Sequence, residues 1–552
     1  MWTYTVVVLY LFITAWLGWR GYRGTRTALD YLVAGRGVHP YIMAMSYGAT
    51  FISTSAIIGF GGAAAVFGMG LLWLVFANIF VGIFLAFILF GDRTRRMGYN
   101  LEAHTFPELM GNRFDSRFIQ GFSGVVIFLF MPLYTSVVII GAAKFIATSF
   151  GLDYQVALFG FSTLIAVYVI MGGLKGVMYT DAFQGSIMLV GMLFLLFFTY
   201  RMLGGVTASH RALADLAPLA REVFPGTGQQ GWASFPLFGS RFWWVMVSTL
   251  IMGVGIGVLA QPQLAVRFMT VRSRRELNRA ILIGGIFILV VVGVVYVVGA
   301  LTNVYFFRQA GRASIQAAAG DVDEIIPLFI SQALPGWFGV LFLLTLISAA
   351  MSTISSQFHA VGTSIGRDFF EKSLRRGRGA GSIAVTRLGI LAGIVFSVFL
   401  GYWLERRFGG TGTAIIARGT AIFFGICAAA FLPMYAGGLL TRRITRSGAI
   451  AGMLSGLGSA LFWLLFMHLK ESSALLLCRE LFGRDSLVEG VRTGFIVWDQ
   501  VDPICVALPL SLLVTVGVSL ATSPPPAAHL ARCFAGVGRK RSPGRRPGPE
   551  PS

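Results

Sequence analysis

The chain has 552 residues, 56% of them hydrophobic and 12% charged, with a net charge of +21 and a mean hydropathy of +0.76. That balance excludes a soluble globular fold and describes an all-α polytopic membrane protein. Four scattered cysteines and six scattered histidines suggest neither a disulfide framework nor a metal motif, and no nucleophile–base pair of an enzyme stands out.

Hydrophobic runs predict about thirteen spans, at 2–19, 40–68, 70–90, 118–149, 154–171, 179–203, 241–266, 280–306, 325–365, 386–404, 412–440, 447–468 and 503–522. The first run is followed by Arg20, Arg23 and Arg26 and lacks a small-residue cleavage site, so it reads as a retained span rather than a signal peptide. The second carries Ser46, Thr50, Ser53, Thr54 and Ser55 among small residues, and the seventh runs through Gly253, Gly255 and Gly257 to Gln261-Pro262. Such stretches either pack helices closely through small residues or interrupt them where freed backbone groups line a cavity. The two lie five spans apart, the spacing expected of paired interruptions in an inverted-repeat transporter.

Asp181 stands at the mouth of the sixth run, in spans otherwise almost free of acidic residues. An intramembrane carboxylate commonly marks a cation or proton path, while Thr180 or Asp181 could equally act as an N-cap. In the ninth span Ala349, Ser352, Thr353 and Ser356 share one helical face. Their hydroxyls suit a small hard cation, or bond back to carbonyls one turn earlier. Lys144 reads as a snorkelling lysine, and His359 as a core histidine or a proton carrier.

Basic residues alternate with the spans. Thirty of the 44 fall on one side and eleven on the other, which places the N-terminus outside, the C-terminus inside and the protein in the inner cell membrane. The positive charge therefore needs no nucleic acid partner; the bilayer accounts for it. The tail from Ser523, rich in proline and arginine, reads as disordered and close to anionic lipid. No loop is long enough for a soluble domain.

Three stretches resemble the sodium:solute symporter family: Gly48 to Gly62, Gly172-Gly173-Leu174 with Thr180-Asp181 and Gln184, and Ala349-Ala350-Met351-Ser352-Thr353. Tyr31 to Gly37, Gln261-Pro262 with Arg267-Phe268, and Val501-Asp502-Pro503 extend the likeness, which is good over residues 28–370 and looser to 522. The resemblance implies a five-plus-five inverted repeat: an extra helix and basic loop in 1–30, repeats in 31–203 and 204–440, two further helices in 441–522, and a basic tail in 523–552. It implies a sodium site formed by the carbonyls of Ala49, Ile52 and Ala349 with the hydroxyls of Ser352 and Thr353. It places Asp181 on the path by which sodium leaves.

For the solute, proline-type members carry an aspartate where Phe51 stands, and a tryptophan and a tyrosine at the positions of Val254 and Val258. Sugar-type members carry amides. The Gly48–Ser55 stretch with Gly59 and Gly61 looks most like pantothenate-type and monocarboxylate-type members. The expectation is therefore sodium-coupled uptake of a small, anionic carboxylate, with Phe51, Ser53, Ser55, Tyr134 and Gly255 lining its site. No cofactor is expected beyond sodium as the coupling ion. Proton coupling, a proline-type solute and a non-transporting solute sensor are the alternatives, and the oligomeric state is not legible.

Overall fold

Long helices start at side chains that hold their first free amides. Ser116 accepts from Ile119, Asp153 from Gln155, Ser273 from Glu276 and Thr445 from Gly448, satisfying donors that no earlier carbonyl can reach. Behind these caps run the apolar helices Arg117–Phe150, Tyr154–Leu203, Arg274–Ala310 and Arg446–Phe462. The computed structural model describes residues 2–374, 383–408 and 415–537. Among them, the one pair of strands is the hairpin of Arg492–Thr493 against Ile496–Val497, in the long segment before the last span. Residues 538–552 of the expected disordered tail lie outside the described residues.

Eleven helical stretches among the described residues are long and apolar enough to cross a bilayer, against thirteen expected. Two joins explain the difference. Phe60–Phe67 passes into Leu72–Ile79 through a single tight turn at Gly68–Leu71, so the second and third spans count together. The spans expected at 154–171 and 179–203 form one 50-residue helix, bent at Gly173 (φ +56°, ψ −161°). A Cβ at residue 173 would lie 2.6 Å from the Tyr31 ring, and the Tyr31 hydroxyl donates to the Ile170 carbonyl at 3.1 Å. Glycine permits both the positive φ and the entry of that ring.

The N-cap reading of Thr180 or Asp181 is corrected by the same bend. Both residues lie inside the continuing helix, and the Thr180 hydroxyl bonds back to the carbonyls of Gly176 and Val177. Asp181 itself is fully buried.

The first interruption falls where expected. Pro40–Phe51 is helical, Ile52 turns extended (φ −94°, ψ 104°), and a wide turn at Ser55–Gly59 leads into Phe60–Phe67. The second lies later than the glycine run suggested. The chain stays helical from Arg241 to Ala260, turns extended at Gln261 (φ −73°, ψ 115°) and restarts at Pro262–Phe268. Proline cannot continue a helix but suits the first position of a new one. The glycines serve packing: Gly255 faces Ala77 and Gly257 faces Phe424, with room for a Cβ at neither. Around the first break, Gly336–Gly362 packs on both Pro40–Phe51 and the bent helix, and Gly185 admits Met45 and Ala49.

Candidate ion and solute site

The oxygen atoms of two helices meet at the first break. Ser352 donates to the Ala49 carbonyl at 2.9 Å and to the Ala349 carbonyl at 3.2 Å; Thr353 donates to the Thr50 carbonyl at 3.1 Å and to the Ala49 carbonyl at 3.4 Å. Ile52 is the extended residue of the break and is buried. Ending the helix at Phe51 frees carbonyls that a continuous helix would use internally, so hydroxyls from the partner helix satisfy them. Four of the five residues expected to hold sodium are joined by hydrogen bonds here, and Ile52 adjoins them. The donors are neutral oxygens, which suits a hard monovalent cation. Among the described residues no cluster of histidine, cysteine and carboxylate fits a transition metal.

Asp181 has a partner that sequence reading missed. Arg267 Nη2 lies 3.0 Å from Asp181 Oδ2, with both side chains buried. Ser46 donates to the same oxygen at 2.7 Å, and Thr50 and Ser356 reach it at 3.3 and 3.5 Å. The guanidinium also bonds Ser46, Thr50, Ser356 and the Gln263 carbonyl. Asp181 Oδ1 has no protein donor among the described residues. A buried ion pair adds little net stability, but either charge alone would be costly. The signal was present in the chain, since a lone buried acid requires a counter-charge and Arg267 follows the second helix break.

A third group of polar residues lies on the other side of the break. Ser53 and Ser55 are 2.8 Å apart through their hydroxyls, Thr420 donates to Ser55 at 2.8 Å, and Tyr134 donates to Ser53 at 3.4 Å. Phe424 closes over them, its ring 5.4 Å from Tyr134 and 6.2 Å from Phe51. Four of the five expected lining residues are thus brought together. Gly255 is not among them, because it faces Ala77; Gly257, against Phe424, borders the group instead. Thr420 and Phe424 were missed, as one hydroxyl and one aromatic in an apolar helix carry no periodic signal.

His359 Nε2 lies 3.1 Å from the Tyr31 carbonyl in a buried position. A carbonyl only accepts, so this nitrogen carries a hydrogen and the imidazole is a satisfied core group. Lys144, expected to snorkel, pairs with Glu405 at 3.2 Å. Beyond Arg267 and Ser356 a narrow cavity of about 20 Å³ opens past His359 toward Leu32 and Thr105, the end rich in basic residues. At its rim Glu108 pairs with Arg367 at 3.2 Å. Burial raises the Glu108 carboxyl, but the His104 hydrogen bond and the Arg367 charge outweigh it and hold the group at about 2.

Two interrupted helices that meet beside buried hydroxyls and freed carbonyls are the arrangement of a secondary transporter of the inverted-repeat class. The sodium:solute symporter family model matches residues 31–456, and the chain belongs to that family. It is 27% identical over 507 residues to sodium/proline symporter 2 of Staphylococcus saprophyticus, covering 90% of this chain and 91% of that protein. It is 28% identical over 508 residues to the sodium/proline symporter of Staphylococcus aureus, with the same coverage. A solved Na+-coupled sialic acid symporter in a substrate-bound outward-open state superposes with a TM-score of 0.71 at 18% identity, over 95% of this chain and 98% of that one. The protein is a multi-pass membrane transporter, not an enzyme.

Proposed function

We propose that this chain couples inward sodium flow to uptake of a small carboxylate-bearing solute across the inner cell membrane. In this reading Ala49, Ile52, Ala349, Ser352 and Thr353 hold sodium, Asp181 lies on its exit path, and Phe51, Ser53, Ser55 and Tyr134 line the solute site. Residues 31–203 and 204–440 are the two five-helix repeats, and alternating access proceeds by rocking of the helix bundle against its scaffold. The observation that carries the reading is the meeting of the Ser352 and Thr353 hydroxyls with the carbonyls of Ala49 and Thr50 at a helix break.

The residues joined around Ser53 and Ser55 are hydroxyls and aromatics, with no carboxylate to meet a substrate ammonium. This favours an anionic carboxylate, such as a pantothenate-like or simple monocarboxylate solute. Proline is the second reading, favoured by the names of the staphylococcal relatives.

The test is binding of radiolabelled sodium to purified protein, wild type beside Thr353→Ala, with potassium as competitor. It is followed by sodium-driven uptake of proline, pantothenate and lactate into proteoliposomes. Selective binding lost in the variant supports the sodium site. Proton-driven uptake without selective sodium binding overturns it.

A further inference from the structure

At the end of the bundle opposite Arg267 lies a larger cavity of about 290 Å³. Its charged lining is entirely cationic: Arg241, Arg418 and Lys470. Thr227, Thr249 and Gln500 supply neutral polar groups, and Phe67 and Phe242 part of the apolar wall. Two of the nearby acids, Glu471 and Asp502, are engaged elsewhere, while Asp323, beside the lining residue Val322, is buried with its Oδ1 unpartnered among the described residues. Glu471 pairs with Arg418 at 2.9 Å and bonds His468, while the Asp502 carboxylate accepts from the Ile504 amide. Asp321, Asp323, Glu324 and Glu405 gather around Lys144 instead. Arg241 and Lys470 have no ion-pair partner among the described residues.

The floor of this cavity leads to the hydroxyl group. Ile416 and Ala417 press against Gly59, where an added Cβ would lie 2.9 Å from the Ala417 amide. Thr420, one helical turn further along, bonds Ser55. Cations in a recess with low-permittivity walls focus the field and concentrate anions within it.

We propose that this cavity is a capture site for an organic carboxylate anion, held by Arg241 and Lys470 with Arg418 before it passes the Gly59–Ala417 closure. The proposal rests on the symport reading above and extends it to the net charge of the solute: a monoanion is favoured and net-neutral proline is not.

The experiment places one cysteine in the cavity, Thr227→Cys, in a background with Cys427, Cys478, Cys505 and Cys533 replaced by alanine. Modification rates are compared for methanethiosulfonate reagents bearing a sulfonate or a trimethylammonium group. The anionic reagent is expected to react faster relative to its rate with a free thiol. Arg241→Gln with Lys470→Gln is expected to lower the anion-to-cation ratio about tenfold, since each removed charge acts oppositely on the two reagents. Lys470→Arg retains the ratio.

In proteoliposomes the paired glutamine substitutions raise KM for the transported carboxylate about fivefold and leave kcat nearly unchanged. A ratio unaffected by the substitutions overturns the capture site, whatever the uptake shows. Proline transport that outpaces every carboxylate tested, with an unchanged KM in the variant, also overturns it. Uptake that ignores sodium sinks the symport reading instead, and the reagent ratio still reports on the cavity.

Discussion

The Asp181–Arg267 pair offers the sharpest test of the ion site. Asp181→Asn keeps the shape of the side chain but leaves a buried guanidinium with only neutral partners: Ser46, Thr50, Ser356 and the Gln263 carbonyl. Removing one member of a buried pair costs about 3–5 kcal/mol. The unpaired charge also reaches the proposed sodium site, because the Thr50 hydroxyl bonds the guanidinium and the Thr50 carbonyl accepts from Thr353. Like charges roughly 8 Å apart repel by about 2 kcal/mol at an effective permittivity of about 20, which is about thirtyfold in a dissociation constant. Asp181→Asn is therefore expected to lower both the unfolding temperature and sodium affinity. Arg267→Gln placed on top of it should restore most of the sodium affinity and part of the stability. Equilibrium binding of radiolabelled sodium and thermal unfolding in detergent, run on both single variants and the double, measure the coupling. Additive losses, with the double variant binding sodium no better than Asp181→Asn alone, would refute the reasoning.

Thr353→Ala removes a hydroxyl from the proposed sodium shell and should weaken sodium binding about tenfold or more, a loss of about 1.4 kcal/mol; unchanged sodium titration would count against the site. Tyr134→Phe deletes the donor to Ser53 and should raise the KM for solute severalfold while leaving sodium binding intact, checked by uptake and ion binding on the same preparation. Gly173→Ala meets both a positive φ and the Tyr31 ring and should destabilise by about 2 kcal/mol or more, seen as a lower unfolding temperature. The Glu108 carboxyl, at about 2 against an ordinary 4.5, is lowered in the folded protein. Its contribution of about 3 kcal/mol is present above pH 4.5 and fades as pH falls toward 2. Glu108→Gln should accordingly lose most of its stability deficit in acid, measured by thermal unfolding across that range.

Span positions were readable in the chain because hydrophobic runs are long and the bilayer sets their length. Connectivity between runs was not. The bend at Gly173 and the turn at Gly68–Leu71 keep helix going through residues whose composition announces a break, since neighbours more than one hundred residues away in the chain, Tyr31 at Gly173 and Trp232 at Gly68, decide the geometry. Sequence distance also hid Arg267, 86 residues on, from Asp181. A hydroxyl-rich stretch such as Gly48–Ser55 signals an unusual helix locally, so the first break was legible. The face that each glycine presents is set by its neighbour, so the sequence alone offers Gly255 as a lining residue although Ala77 fills the space beside it.

The position of Thr50 connects the parts of the site. Its carbonyl belongs to the oxygens at the break, and its hydroxyl bonds both Ser356 and the guanidinium of Arg267. An ion drawing the carbonyls of residues 49–52 toward itself therefore acts on the same residue that anchors the Asp181–Arg267 pair. Ser356 lies one turn beyond Ser352 and Thr353 on the partner helix and bonds that pair as well, so both helices meet the proposed ion site and the pair together. A ligand shifts a conformational equilibrium only by as much as it favours one state over another. With the proposed sodium site and the ion pair sharing Thr50, and with the narrow cavity toward the basic end starting at Arg267 and Ser356, the contact through which sodium bound as proposed would oppose or release opening toward that end is the Thr50–Ser356–Arg267 cluster.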